Sequence, residues 1–98
     1  MTQEKHTPGP WATKPVGDYQ SVYDAGNTFF EIARVRGFSN HDAEANARLI
    51  AAAPDALEAL EYAHEILGRI YDGEKVSHDE IGSALQPCQN AIDKAKGE

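Results

Sequence analysis

The residues of this chain best suited to chemistry are four histidines, one cysteine and a few arginines, and their spacing decides what is open to it. His6, His41, His64 and His78 are widely separated, and none stands three or four residues from another His or Cys, the usual spacing of a zinc-ligand pair. No metal site and no cofactor are expected. Cys88 lies in a run of apolar residues at helical spacing, so it reads as a small buried hydrophobe and not as an activated thiol. Ser21, Ser39, Ser77 and Ser83 fall outside any nucleophile-elbow pattern, and no glycine-rich loop has the spacing of a phosphate cradle. Without a nucleophile, base or metal constellation, the sequence points away from an enzyme and toward a protein that acts by binding.

Two groups of charged residues offer binding chemistry. Arg34, Arg36 and Arg48, with Lys14, would form a local positive pocket on a negative chain, as capture of a phosphorylated small molecule requires. Trp11, preceded by Thr7-Pro8-Gly9-Pro10, would give a base a stacking platform, which makes Trp11, Arg34, Arg36 and Arg48 the expected ligand-binding set. The plainer alternative has the arginines bridging sheet and helix through carboxylates and Trp11 covering the edge of a small core. Glu58, Glu61 and Glu65 recur at three and four spacing along one helix side. This acidic ridge is either a solvated face or a surface for a basic protein, and it is the expected protein-binding set.

The elements that must position these residues can be read in order. Residues 1–10, with two prolines and a glycine near their end, form a mobile lead-in, and 11–98 form one α+β domain with a sheet part (11–36) and a helical part (40–96). Aromatic and β-branched residues predict strands at about Trp11 to Lys14, Gln20 to Asp24 and Thr28 to Arg36. Asp24-Ala25-Gly26-Asn27 predicts a tight hairpin between the last two, with Phe30 and Ile32 on one face and Phe29, Ala33 and Val35 on the other. One face should meet helices and the other a partner subunit.

Ser39, Asn40 or Asp42 can cap a first helix from about His41 to Ala53, and Pro54 suits the first turn of a second one, so a corner is expected there. The second helix runs to about Tyr71. Its stripe Leu57, Leu60, His64, Leu67 and Tyr71 lies beside Ala56, Ala59, Ala63, Ile66 and Ile70, a surface broad enough to need cover on two sides. Ser77 and Glu80 form a capping box opening a third helix, with Pro87 bending it, and an antiparallel helical hairpin follows.

Composition bounds the function. Sixteen acidic residues against nine basic ones give a net charge of -7 in 98 residues, which opposes nonspecific attraction to nucleic acid or anionic lipid. The longest apolar stretch, Ala47 to Pro54, is interrupted by Arg48 and falls far short of the roughly 20 residues of a membrane span. Met1 to Pro10 has neither the basic start nor the apolar centre of a secretory signal, and a lone cysteine suits a reducing compartment; a cytoplasmic protein is expected. Two apolar strand faces and broad helix stripes exceed what one small core can cover, so a homo-oligomer is expected too.

At Thr7-Pro8-Gly9-Pro10-Trp11, and again from Ala45 to Leu60 (ANARLIAAAPDALEAL), the sequence resembles small proteins encoded by bacteriophages and prophages, most without an assigned activity. The resemblance implies a phage origin and transfers no catalytic residues. Phage proteins of this kind include anti-CRISPR proteins, which bind an effector complex, and sponges that sequester nucleotide immune signals. The resulting expectation is a non-enzymatic accessory protein that inhibits a host defence protein stoichiometrically. The alternatives are an oligomeric sponge for a phosphorylated nucleotide signal and a structural or regulatory oligomerisation protein.

Overall fold

A computed structural model describes residues 6–97 of the chain. Strands β1 (Trp11–Val16), β2 (Tyr19–Asp24) and β3 (Asn27–Val35) precede helices α1 (Asn40–Ala51), α2 (Ala53–Tyr71) and α3 (His78–Lys96). The fold is therefore α+β, with an N-terminal antiparallel sheet in the order β1-β2-β3. Residues 1–5 of the expected lead-in lie outside the described residues. Residues 7–10 are tied to the body: Trp11 Nε1 donates to the Thr7 carbonyl at 3.1 Å, and Gly9 lies so close to Pro54 that a Cβ there would stand 2.9 Å from the proline Cβ.

The two hairpin turns differ, and the difference shapes β3. Between β1 and β2 the turn residues are Gly17 and Asp18, and Gly17 adopts φ 57°, so the turn matches the strand twist and pairing is regular from Val16↔Tyr19 to Trp11↔Asp24. This extends β1 through Pro15, two residues beyond the predicted end, as an edge strand allows. Between β2 and β3 neither Ala25 nor Gly26 has a positive φ, and the turn is instead fixed by Gly26 N–H donating to Asp24 Oδ1 at 2.9 Å. A turn of that hand splays its strands. After Asp24↔Asn27 the next pair is Tyr23↔Glu31, and the one after it Val22↔Ala33, so residues 28–30 and Ile32 are extra. The simple alternation predicted for β3 is thereby broken: Ile32 and Ala33 both pack on the core, while Phe29 is 98% exposed.

Ser39 caps α1 by accepting from the Asp42 amide at 3.2 Å. The helix lays Ala47 and Ala51 on Val22 and Val35, and Trp11, Ile32 and Ala33 close the rim of this cluster. Burying the two valines contributes about 1.5–3 kcal/mol each. Small residues let α1 approach the sheet closely. Gly37 permits the chain to reverse into α1, since a Cβ there would meet the Ala43 backbone nitrogen at 2.8 Å. α1 gives way to α2 at Ala52, with Pro54 in the first turn of α2, as the proline predicted.

Helix α2 ends at Gly73 (φ 85°), where the Gly73 amide donates to the Ile70 carbonyl and the Glu74 amide to the Arg69 carbonyl. The Ser77/Glu80 capping box is formed, and α3 runs unbroken through Pro87. The two helices pack antiparallel: Lys94 Nζ meets Asp55 Oδ2 at 2.7 Å, Arg69 meets Glu80 at 2.7 Å, and the half-buried Cys88 sulfur lies 3.8 Å from the Ala59 carbonyl. What they bury is small. Ala59, Ala84 and Ala91, with Ile66, line the seam, so the helices approach on alanine.

The predicted leucine stripe of α2 is therefore not core. α3 covers the alanine side only; Leu60, Leu67 and Tyr71 are 66%, 65% and 90% exposed, and His64 is exposed with them. At 100° per residue, the exposed Ile81, Leu85 and Ile92 of α3 fall on the same side of the antiparallel hairpin as that stripe. The radius of gyration is 16.2 Å, against about 13 Å for a compact domain of this length, because the hairpin projects from the sheet.

Candidate functional site

The face of the sheet opposite α1 carries the densest set of binding side chains. Cross-strand partners share a face, and the register sets Lys14 opposite Ser21, Ser21 opposite Arg34, and Tyr23 opposite Glu31. Tyr19, Ser21 and Tyr23 alternate along the central strand and so point the same way. The result is an open face of two tyrosines and three cations. The Arg34 guanidinium stands 5.0 Å from the centre of the Tyr19 ring and that of Arg36 6.0 Å, while Lys14 Nζ lies 5.1 Å from the Tyr23 ring. Such contacts contribute about 0.5–1 kcal/mol each at exposed positions.

A carboxylate organises this surface. Ser21 Oγ donates to Glu31 Oε2 at 2.6 Å, and Arg34 Nε donates to Glu31 Oε1 at 2.7 Å. The Arg34 hydrogen bond, followed by that of Ser21, holds the Glu31 carboxyl below its ordinary pKa, and the same contact raises that of Arg34. Arg34 is thus fixed over Tyr19, whereas Arg36 makes only a 3.4 Å contact with exposed Asp18. Lys14 has no carboxylate partner among the described residues. Ser21 is buried beneath these side chains although it lies on the open face.

The expected ligand-binding set is divided by the fold. Arg34 and Arg36 meet, with Lys14, on the open face. Arg48 does not join them: it sits on α1, on the other side of the sheet, where it pairs with Glu44 at 2.7 Å and its stem lies against Gly97 at the C-terminal end of α3. A cation there complements the negative end of that helix. Trp11 also points to the helix side, packs on the core cluster and spends its indole N–H on Thr7, so it is not a platform beside the arginines. The reason is register, since Trp11 pairs with Asp24 and alternates out of phase with Lys14. Tyr19 and Tyr23 take the aromatic role instead, and the signal for them was the Tyr-x-Ser-x-Tyr alternation in the central strand.

Glu58, Glu61 and Glu65 are exposed along α2, Glu58 bordering a hollow against Pro87 and Asn90 of α3 and Glu61 one beside Leu60, His64 and Leu67, and none pairs with a base among the described residues. Glu58 and Glu61 border a shallow notch of about 220 Å³ with Pro8, Gly9 and Pro54. Among the described residues no three His, Cys, Asp or Glu side chains cluster as metal ligands, and no helix is long and apolar enough to cross a membrane.

No curated protein and no solved structure matches the chain. A family model described as Salmonella phage P22 protein Y8K6 matches residues 1–98, so the whole chain belongs to that phage protein family.

Proposed function

We infer that this phage-family protein is a non-enzymatic accessory that acts by stoichiometric binding, and that its target is a host component, in the first instance a protein of an antiviral defence system. The observation that carries the binding reading is the open sheet face, where Tyr19 and Tyr23 are held by Lys14, Arg34 and Arg36. Tyrosine and arginine are the residues most enriched among those that dominate protein interfaces, and preordered rings lose little entropy on docking. Phage membership supports a host target. The acidic ridge Glu58, Glu61 and Glu65 is the alternative protein-binding surface.

The same face supports a second reading, capture of a phosphorylated nucleotide, because an aromatic ring bordered by cations suits a stacked base and its phosphate. Affinity capture of host proteins with three forms separates these readings. The Tyr19→Ala/Arg36→Glu variant is expected to lose the captured partner, and the Glu58→Lys/Glu61→Lys/Glu65→Lys variant to keep it. The opposite pattern assigns binding to the ridge. Heat on titration with a nucleotide panel, lost in the first variant, would replace the protein reading with the nucleotide one.

A further inference from the structure

The apolar side of the α2–α3 hairpin has no cover among the described residues, and its chemistry identifies what would cover it. Leu57, Leu60, His64, Leu67 and Tyr71 are spaced three, four, three and four apart, and Ile81, Leu85, Cys88 and Ile92 follow the same rhythm on α3. That is the spacing with which helices interlock in bundles crossing at about 20°. A hairpin is half of a four-helix bundle, and both of its helices present the seam. The exposed parts of these side chains amount to an area on the order of 800 Å² per chain, the share that each partner contributes to a stable interface of standard size.

Charge argues that the second half is another copy of this chain. Each chain carries -7, so most surfaces repel their like. One acidic residue, Glu61, borders the leucine face, lining a hollow with Leu60, His64 and Leu67, while Glu58 and Glu65 fall off it at helical spacing, so two copies can meet there with most of their carboxylates apart in water. A basic partner would find a single carboxylate, Glu61, at the border of this side. We propose that two copies associate through this face of α2 and α3 into a four-helix bundle, leaving both sheets outward with their Tyr19 and Tyr23 faces free. The dimer is independent of what the sheet binds.

Sedimentation equilibrium of the full chain over a dilution series tests this. The expected result is a mass of twice the 10.7 kDa of one chain at high concentration, falling to one chain on dilution. Leu60→Gln/Leu67→Gln keeps helix-forming side chains of similar size and is expected to raise the dissociation constant at least about 100-fold with unchanged helical circular dichroism. If that pair lowers helicity, Leu60→Met/Leu67→Ala is read in its place. Phe29→Ser, at the sheet edge, is expected to leave the mass unchanged. A single-chain mass at every concentration overturns the proposal. So does a multimer that the stripe variants leave intact, or one that Phe29→Ser dissociates as readily.

Discussion

The two halves of this molecule solve the problem of a small core in opposite ways. In the sheet half, α1 lays alanines on Val22 and Val35, so two valines go inward and the outer face is left to tyrosines and cations. In the hairpin half the alanines go inward and the leucines outward. The first arrangement is complete in one chain. The second buries only Ala59, Ile66, Ala84 and Ala91 along its two helices of 19 residues, with the pairs Asp55–Lys94 and Arg69–Glu80 at the two ends of the seam. What the contrast teaches is that the two halves expose different chemistry, a regular apolar stripe on the hairpin, where we propose that the chain meets a copy, and charged and aromatic side chains on the sheet, where we propose that it meets another partner.

The contrast is broken most directly by matched truncations. Val22→Ala removes a fully buried side chain and is expected to cost about 2 kcal/mol in denaturant titration at any protein concentration. Leu60→Ala is expected to cost well under that in dilute protein and to approach it only where the chains associate. Equal, concentration-independent losses would mean that the stripe is part of a single-chain core. Next in size is the cap. Ser77→Ala deletes the acceptor for the Glu80 amide and is expected to cost about 1 kcal/mol, with loss of amide protection confined to α3 and its seam.

The smallest effect expected is on pH. In the hairpin, the Glu80 carboxyl is held below its ordinary pKa first by its hydrogen bond from Arg69 and then by the Ser77 amide; in the sheet, Glu31 is held down by Arg34 and Ser21. A carboxyl whose pKa is depressed on folding stabilises the fold above its unfolded value, about 4.3, and that contribution disappears as pH falls through the folded value. Stability measured from pH 7 downward should therefore decline below about pH 4.3, and Glu80→Gln should flatten part of that decline. An identical acid-side slope in the variant would remove Arg69–Glu80 from the forces that hold the hairpin.

Much of this architecture was legible in the sequence because it is written in local signals. Pro54, the Ser77/Glu80 box and the change from β-branched to alanine-rich periodicity mark helix boundaries with physical causes confined to a few residues. Three things were not legible, each decided by neighbours distant in sequence. The outward turn of Leu60 and Leu67 depends on α3 choosing the alanine side of α2, and an apolar residue at helical spacing reads as core until its neighbour is known. The irregular β3 arises from turn geometry at Ala25-Gly26, which four turn-forming residues do not specify. The separation of Trp11 and Arg48 from Arg34 and Arg36 follows from strand register and from which side of the sheet α1 covers.

The measurement that bears most directly on this division is amide hydrogen exchange of the whole chain at two concentrations, one well above and one well below that at which it associates. The expected result, if the proposed dimer forms through the hairpin, is that α2 and α3 lose protection on dilution while β2, β3 and α1 keep theirs. Protection in α2 and α3 that is the same at both concentrations, or a loss spread evenly over sheet and hairpin, would contradict it.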